Sequence, residues 1–332
     1  MVSAIRVMSI KGIFLGLMLL FFGLNVRAAE DGPLLIFGPD GPNFETVIQV
    51  IREELKGEIK IEFRKVDRIG SNADPAAEFK RFENHLNEIN PRLLVLMDNT
   101  AIDLYRNYQR EYEDKKEFPP AIMCMALFVQ DSIKGIKNGY GINYEMPLVK
   151  GLPLFRDILG LPVEKVGVVY REEYKDFIER QREQLKIEDI ELVTYYLEGK
   201  NLRRELDKGL KQLLRKDEVE ALWLLNDNIL YEEAADVWKR RLQKFQKPRY
   251  ASVAKLVQNR FGNFGYTPDH HEIGVQIADF VFELLDGQQP RNRVEEPKSG
   301  SKMLDVEVGI KYLKVPKEKL DEIDIRIQGQ NR

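Results

Sequence analysis

Four short runs of this chain carry no charge from end to end: Leu34–Phe37 (LLIF), Leu93–Met97 (LLVLM), Ala121–Phe128 (AIMCMALF) and Ala221–Leu225 (ALWLL). Runs of that length with no polar alternation are what strands buried on both faces require, and such strands belong to parallel sheets covered by helices. Helical stripes lie between them. Phe44, Val47, Ile48 and Ile51 share one face, as do Phe79, Phe82, Leu86 and Ile89, and then Leu202, Leu206, Leu210, Leu213 and Leu214. Ile59–Val66, Val163–Tyr170 and Ile190–Tyr196 read as further strands, and Lys175–Leu185 as a further helix. Strand, helix, strand, helix, strand therefore occurs twice, which predicts an α/β chain.

A third section is shorter. Arg249–Ala254 reads as a strand. A helix is expected to start at Thr267–Pro268, with a core face of Ile273, Ile277, Phe280, Val281, Leu284 and Leu285, ending at Gly287 with Pro290 beyond. Residues 291–302 form a polar crossing segment, and Lys302–Val308 a last strand before a charged tail.

The first 28 residues have a different character. Arg6 and Lys11 precede an uncharged apolar run of 12 residues, Ile13–Leu24, and Val26 and Ala28 occupy the small-residue positions before a cut. That is the layout of a cleaved secretory signal peptide; a bilayer-spanning helix needs about 20 apolar residues. No cysteine lies near Ala28, which excludes a lipoprotein. In a two-membrane bacterium the expected location is the periplasm. The remaining chain of roughly 300 residues is long enough for two lobes with cores of their own.

The 332-residue chain has 51 basic and 54 acidic side chains, so nothing argues for a nucleic-acid surface. Its single cysteine, Cys124, excludes an intramolecular disulfide and sits among apolar neighbours as an inert buried thiol. His270 and His271 are adjacent and cannot comfortably share one ion, and with His85 alone elsewhere no zinc site is expected. Neither GxGxxG nor GxSxG occurs, and Pro39 and Pro42 withdraw two donors that a nucleotide loop after LLIF would use. The acid pairs Glu53-Glu54, Glu172-Glu173 and Glu232-Glu233 stand in surface-like helices, without the apolar pocket that tunes a catalytic acid. No catalytic residue, metal or cofactor is expected.

What remains lies at strand ends. The turn GPDGPN and Asp98-Asn99-Thr100 each open a helix after a buried strand, where free N–H groups cap the helix or stabilise an anion. Two such turns at the carboxyl edge of one sheet face the same crevice. Asn226-Asp227-Asn228 ends ALWLL in the same way. It can cap the next helix or grip an ammonium group or hydroxyls, the second being favoured for Asp227. Tyr170 and Tyr174 could add an aromatic wall, or be half-buried packing.

From about Gly139 to Leu320 the chain resembles the ABC-transporter substrate-binding proteins of the tryptophan/tyrosine-type group. The matching segments are GINYEMPLVKGLPLFRDILGLPVEKVGVVY, ALWLLNDNIL, GYTPDHHEIGVQIADFVFELLDGQQP and VGIKYLKVP. The resemblance implies a type I periplasmic-binding fold, two Rossmann-like lobes joined by a three-segment hinge. On this chain that places 29–146 plus 250–292 in lobe 1 and 147–249 plus 300–328 in lobe 2. It further implies that ligand contacts come from Asn43, Phe44, Asn99, Thr100, Tyr170, Tyr174, Asp227, Asn228 and Ser252. Arg260–Phe264 and Asp98–Thr100 depart from the small residues usual in that group, so an aromatic amino-acid ligand is not carried over.

The expected function is therefore an exported binding protein that closes on a small polar solute and serves an ABC permease, as a monomer. Two alternatives stand beside it: a ligand sensor partnering a membrane sensor kinase, and an exported α/β enzyme.

Overall fold

Burial on both faces decides where the first sheet forms. Every residue of Leu34–Gly38 (β1) is buried. The helix Pro42–Glu54 (α1) follows, opening on a proline and turning Phe44, Val47, Ile48 and Ile51 inward. Ile61–Lys65 (β2), Pro75–Ile89 (α2), Leu93–Met97 (β3), Asn99–Glu111 (α3), Ala121–Cys124 (β4), the single turn Val129–Ser132 (α4) and Gly139–Ile142 (β5) complete this run. The computed structural model describes residues 32–67, 74–115, 117–199, 201–244 and 247–328, and the leader expected over 1–28 lies outside them.

After a crossing at 143–147 the second run begins. It comprises Leu148–Leu159 (α5), Lys165–Tyr170 (β6), Lys175–Leu185 (α6), Glu191–Tyr196 (β7), Leu202–Arg215 (α7) and Ala221–Leu224 (β8). Asn228–Glu233 (α8), Ala235–Lys244 (α9), Arg249–Ala251 (β9), Ala254–Gln258 (α10) and Phe264–Pro268 (β10) extend it. The chain then returns through His270–Leu285 (α11) and Val294–Glu295 (β11). It crosses a last time into Gly300–Asp305 (β12), Val306–Lys311 (α12), Lys317–Leu320 (α13) and Ile325–Ile327 (β13).

The strands sort into two sheets. The first, in the order β11-β5-β4-β3-β1-β2, is parallel throughout. The second, β13-β12-β10-β9-β8-β6-β7, is parallel except where β12 meets β10. Each sheet is covered on both faces. In the first, α1 and α11 pack on one side, and α2 and α3 on the other. In the second, α5 and α6 oppose the layer of α7 to α10.

Residues 250–268, expected in lobe 1, belong to lobe 2. Tyr250 pairs with Trp223 of β8 and with Phe264 of β10, and both rings pack on Phe155 of α5, at 5.9 and 5.3 Å. Burying two aromatic rings in that core outweighs any contact they could make across the hinge. The return to lobe 1 therefore happens at Asp269, whose carboxylate accepts the N–H groups of His271 and Glu272; Thr267 and Pro268 end β10 instead of starting the helix. The last long strand likewise stops at Asp305, which caps α12 through the Val308 N–H.

Helix α11 meets α1 at a glycine. A Cβ on Gly274 would stand 2.6 Å from Val50 Cβ and 3.2 Å from the Val47 carbonyl oxygen. Gly274→Ala is expected to force the helices apart and cost about 1–3 kcal/mol, the usual penalty of overpacking. A lowered denaturant midpoint at unchanged slope checks this.

Candidate functional site

The chain leaves β5 at its carboxyl end for lobe 2, and leaves β10 at its carboxyl end for lobe 1. Because each sheet is parallel around those strands, the carboxyl ends of both sheets face the same gap. The loops after β1, β3 and β4 look across at those after β6, β8 and β9, the place where open α/β sheets bind ligands. Three crossings flank the gap and are tied together. The Tyr144 hydroxyl lies 3.0 Å from His270 Nε2 with the rings stacked, and Asn143 Nδ2 donates to Glu296 Oε1 at 2.9 Å. Asn143 N–H also bonds the Glu295 carbonyl.

Lobe 2 supplies the charged wall. Asp227 caps α8 by accepting the Leu230 N–H at 3.3 Å, and the residue is buried. It does not stand free for an ammonium group. Arg171, one residue past β6, forks onto it through Nε at 2.7 Å and Nη2 at 2.9 Å, while Nη1 reaches Glu173 at 2.6 Å. Burial works against the guanidinium charge, but Asp227 outweighs it and raises the Arg171 pKa. Tyr174 donates its hydroxyl to the Asn226 carbonyl at 2.5 Å, and burial, with Asp227 and Glu145 nearby, keeps the phenol protonated.

The other expected contact residues divide into exposed and committed groups. Asn43 is exposed in the first turn of α1, a terminus with no side-chain cap, whereas Phe44 next to it is buried in the lobe 1 core. Asn228 is exposed at the start of α8. Tyr170 packs in the lobe 2 core against Tyr196, and Ser252 accepts the Trp223 indole N–H at 2.8 Å. Thr100 is buried and donates its N–H to Asp98. Asn99 clamps the backbone of Leu127 from both sides, donating to its carbonyl and accepting its N–H, each at 2.9 Å. The structure thus places Asn43, Arg171, Asp227 and Asn228 at the rim of the gap, and spends Asn99, Thr100, Tyr170 and Ser252 on shaping it.

Sequence reasoning missed Phe128 and Glu145. The expected strand 121–128 stops at Cys124, since Met125 and Phe128 both adopt positive φ, 53° and 56°. Phe128 leaves lobe 1 and packs on lobe 2, its ring 5.0 Å from Tyr174 and 5.6 Å from Phe177. Its N–H donates to Glu145 Oε1 at 3.0 Å. Glu145, in the first crossing, is the buried carboxylate that the acid pairs did not provide. Burial pushes it up to about 7, Glu296 adding to the shift and Arg180 opposing it, as do the N–H groups of Phe128 and of Glu145 itself. Beside it lies a small pocket lined by Gln130, Asn143, Phe177, Arg180, Gln184 and Glu296 among others. A glutamate just before Met-Pro at the end of a strand was the only signal, and it is a weak one.

A sequence profile for ABC transporter substrate binding proteins matches residues 121–308. The chain belongs to that family. It is a family of binding proteins, and the match runs from β4 through all three crossings to β12 and into α12. Solved structures agree on the fold. A ligand-free, open substrate binding protein with adhesive properties from Clostridium difficile is 13% identical, with 90% of this chain and 100% of that one covered at a TM-score of 0.68. An ABC domain from Streptococcus pneumonia in complex with L-Trp is 18% identical over 90% and 100% of the two chains, TM-score 0.58. A conserved domain protein from Vibrio cholerae is 16% identical over the same shares, TM-score 0.58. No curated protein sequence matches the chain. The architecture is the type I periplasmic-binding fold, two Rossmann-like lobes joined by a three-segment hinge.

Among the described residues no helix is long and apolar enough to cross a membrane, and no group of three or more His, Cys, Asp or Glu could hold a metal ion. Cys124 is fully buried, and its thiol is held well above the ordinary range by that burial.

Proposed function

We propose that the protein is exported to the periplasm, binds a small amino-acid-like or other carboxylate solute between its lobes, and hands it to an ABC permease. The observation that carries this reading is Arg171, fixed by Asp227 and Glu173 at the carboxyl edge of the second sheet. Three of its five N–H groups are engaged there, leaving two for a ligand carboxylate. The first turn of α1, with Asn43 exposed, lies at the carboxyl edge of the lobe 1 sheet and favours the same charge. A solute that touches both edges binds the closed arrangement better than the open one, which is all that closure requires.

The ammonium role expected of Asp227 passes to no other residue in this reading; Asp227 acts by holding the guanidinium plane. The L-Trp held by the Streptococcus pneumonia domain makes aromatic amino acids one class to assay, beside aliphatic amino acids and organic acids.

The test starts with mass spectrometry of whatever co-purifies with the gently isolated protein, followed by calorimetric titration of that compound. Arg171→Lys keeps the charge and loses the fork. It is expected to weaken binding about 10- to 100-fold, the worth of one or two charged hydrogen bonds. Absence of binding across all three classes, in protein stripped of its co-purified solute, overturns the carboxylate reading. N-terminal sequencing of the periplasmic fraction, expected to begin at Ala29, checks export.

A further inference from the structure

We propose that Phe128 and the Asp131–Arg180 pair form a latch that holds the two lobes against each other along the hinge side of the gap before any solute arrives. The proposal rests on the two-lobe arrangement and not on the identity of the solute.

Lobe 1 is built to present this contact. The loop after β4 is bracketed by two non-glycine residues in left-handed backbone, Met125 and Phe128. Such residues persist only where neighbours over-determine them. Here the Asn99 side chain clamps Leu127 from both sides, and Glu145 accepts the Phe128 N–H. The outcome of that fixed loop is that the Phe128 ring leaves its own lobe. It joins the apolar core of the other one, edge-on to Tyr174 and tilted against Phe177.

One helical turn later the same loop supplies a charge. Asp131 in α4 accepts from Arg180 Nη2 at 2.7 Å and from Nη1 at 3.4 Å, across the gap on α6 of lobe 2. Burial disfavours the Asp131 charge, but Lys134 and Arg180 outweigh it and hold the carboxyl below its usual range. Phe177 and Arg180 lie three apart on α6 and so share a face, the spacing at which one helix can receive both an apolar and an ionic contact. A pocket lined by Phe128, Phe177, Arg180 and, from the first crossing, Glu145 adjoins both contacts. The contacts therefore adjoin the first crossing, where a short-range packing and ionic pair can set the resting angle between the lobes.

The ion pair is partly exposed, 28% for Asp131 and 33% for Arg180, so salt should loosen it while leaving the aromatic contact in place. This gives a test that needs neither solute nor a destabilising variant. Spin labels on Glu45→Cys in α1 and Glu232→Cys in α8, both exposed, report the separation of the lobes; Cys124 is buried and stays unlabelled. In solute-free protein, double electron–electron resonance should show a defined distance in low salt. The distribution should broaden and shift to longer distances as sodium chloride is raised.

Arg180→Gln should give the broadened, shifted distribution already in low salt and remove the salt response. Phe128→Ala should shift it as well, and Phe128→Leu, which keeps apolar bulk, should restore most of the wild-type distance. Circular dichroism melts establish that each variant is folded. A distribution unchanged by salt, by Arg180→Gln and by Phe128→Ala in folded protein overturns the proposal, because the lobes are then held by the crossings alone.

Discussion

Glu145→Gln should make the protein more stable at pH 8 and leave it little changed at pH 5. Glu145 is 9% exposed and its carboxyl is raised from 4.5 to about 7 by burial. The groups near it are Asn143 of its own crossing and Glu296 of the last one, Arg180 and Gln181 from α6, the N–H of Phe128, and Tyr174. A raised carboxyl keeps a proton in the folded state that the unfolded chain gives up above 4.5. Between 4.5 and about 7 the folded protein binds more protons, so stability falls as pH rises through that window and the loss is complete above it. At about 1.4 kcal/mol per unit, the ionised form costs up to about 3 kcal/mol at pH 8. Glutamine keeps an oxygen for the Phe128 N–H and carries no charge. Its melting temperature should exceed wild type by several degrees at pH 8, the gap closing towards pH 5. A gap of equal size at both pH values would show that ionisation of Glu145 is not the cause.

Arg171→Leu should have the opposite sign and a comparable size. It strands the Asp227 carboxylate, 1% exposed as a side chain, with its charge unanswered. Removing one partner of such a pair costs about 3–5 kcal/mol, most of it the burden of the remaining charge. The double variant Arg171→Leu/Asp227→Asn should recover most of that loss, because asparagine still caps the Leu230 N–H without being charged. Solute binding should be absent in both. Chemical denaturation read beside titration therefore separates what the pair does for the fold from what Arg171 does for the ligand. Equal destabilisation of the single and double variants would mean that lost packing of the arginine stem dominates instead.

The sheets were readable because LLIF, LLVLM and ALWLL have no polar residue to place on a solvent face, and a period of three and four marks their covering helices. The lobe assignment of 250–268 was not readable. Tyr250 and Phe264 are apolar in either lobe, and only their packing on Phe155 decides between them. Capping chemistry was legible as a residue type and not as a role. Asp98, Asp227, Asp269 and Asp305 all close helix starts, and Asp227 in addition takes the two-pronged fork of an arginine. That arginine stands 56 positions away in sequence, a long-range pairing that no local pattern announces. Glu145 was missed for a related reason, since its partner is the backbone N–H of a phenylalanine 17 positions away whose ring leaves its own lobe.

The first sheet is unfinished until late in synthesis. Its strands up to β5 are complete at Ile142, but the helix that covers α1, and β11 at the sheet edge, come only after β6 to β10 of the second lobe in sequence. An emerging chain that stops short of Leu285 lacks the helix that packs over Val47 and Val50 of α1. For a polypeptide threaded through a membrane before it folds, as proposed here, this ordering delays maturation until nearly every residue has passed. It also means that neither half can be cut out as one uninterrupted fragment: a truncation after the first crossing should yield aggregating material and not a working lobe.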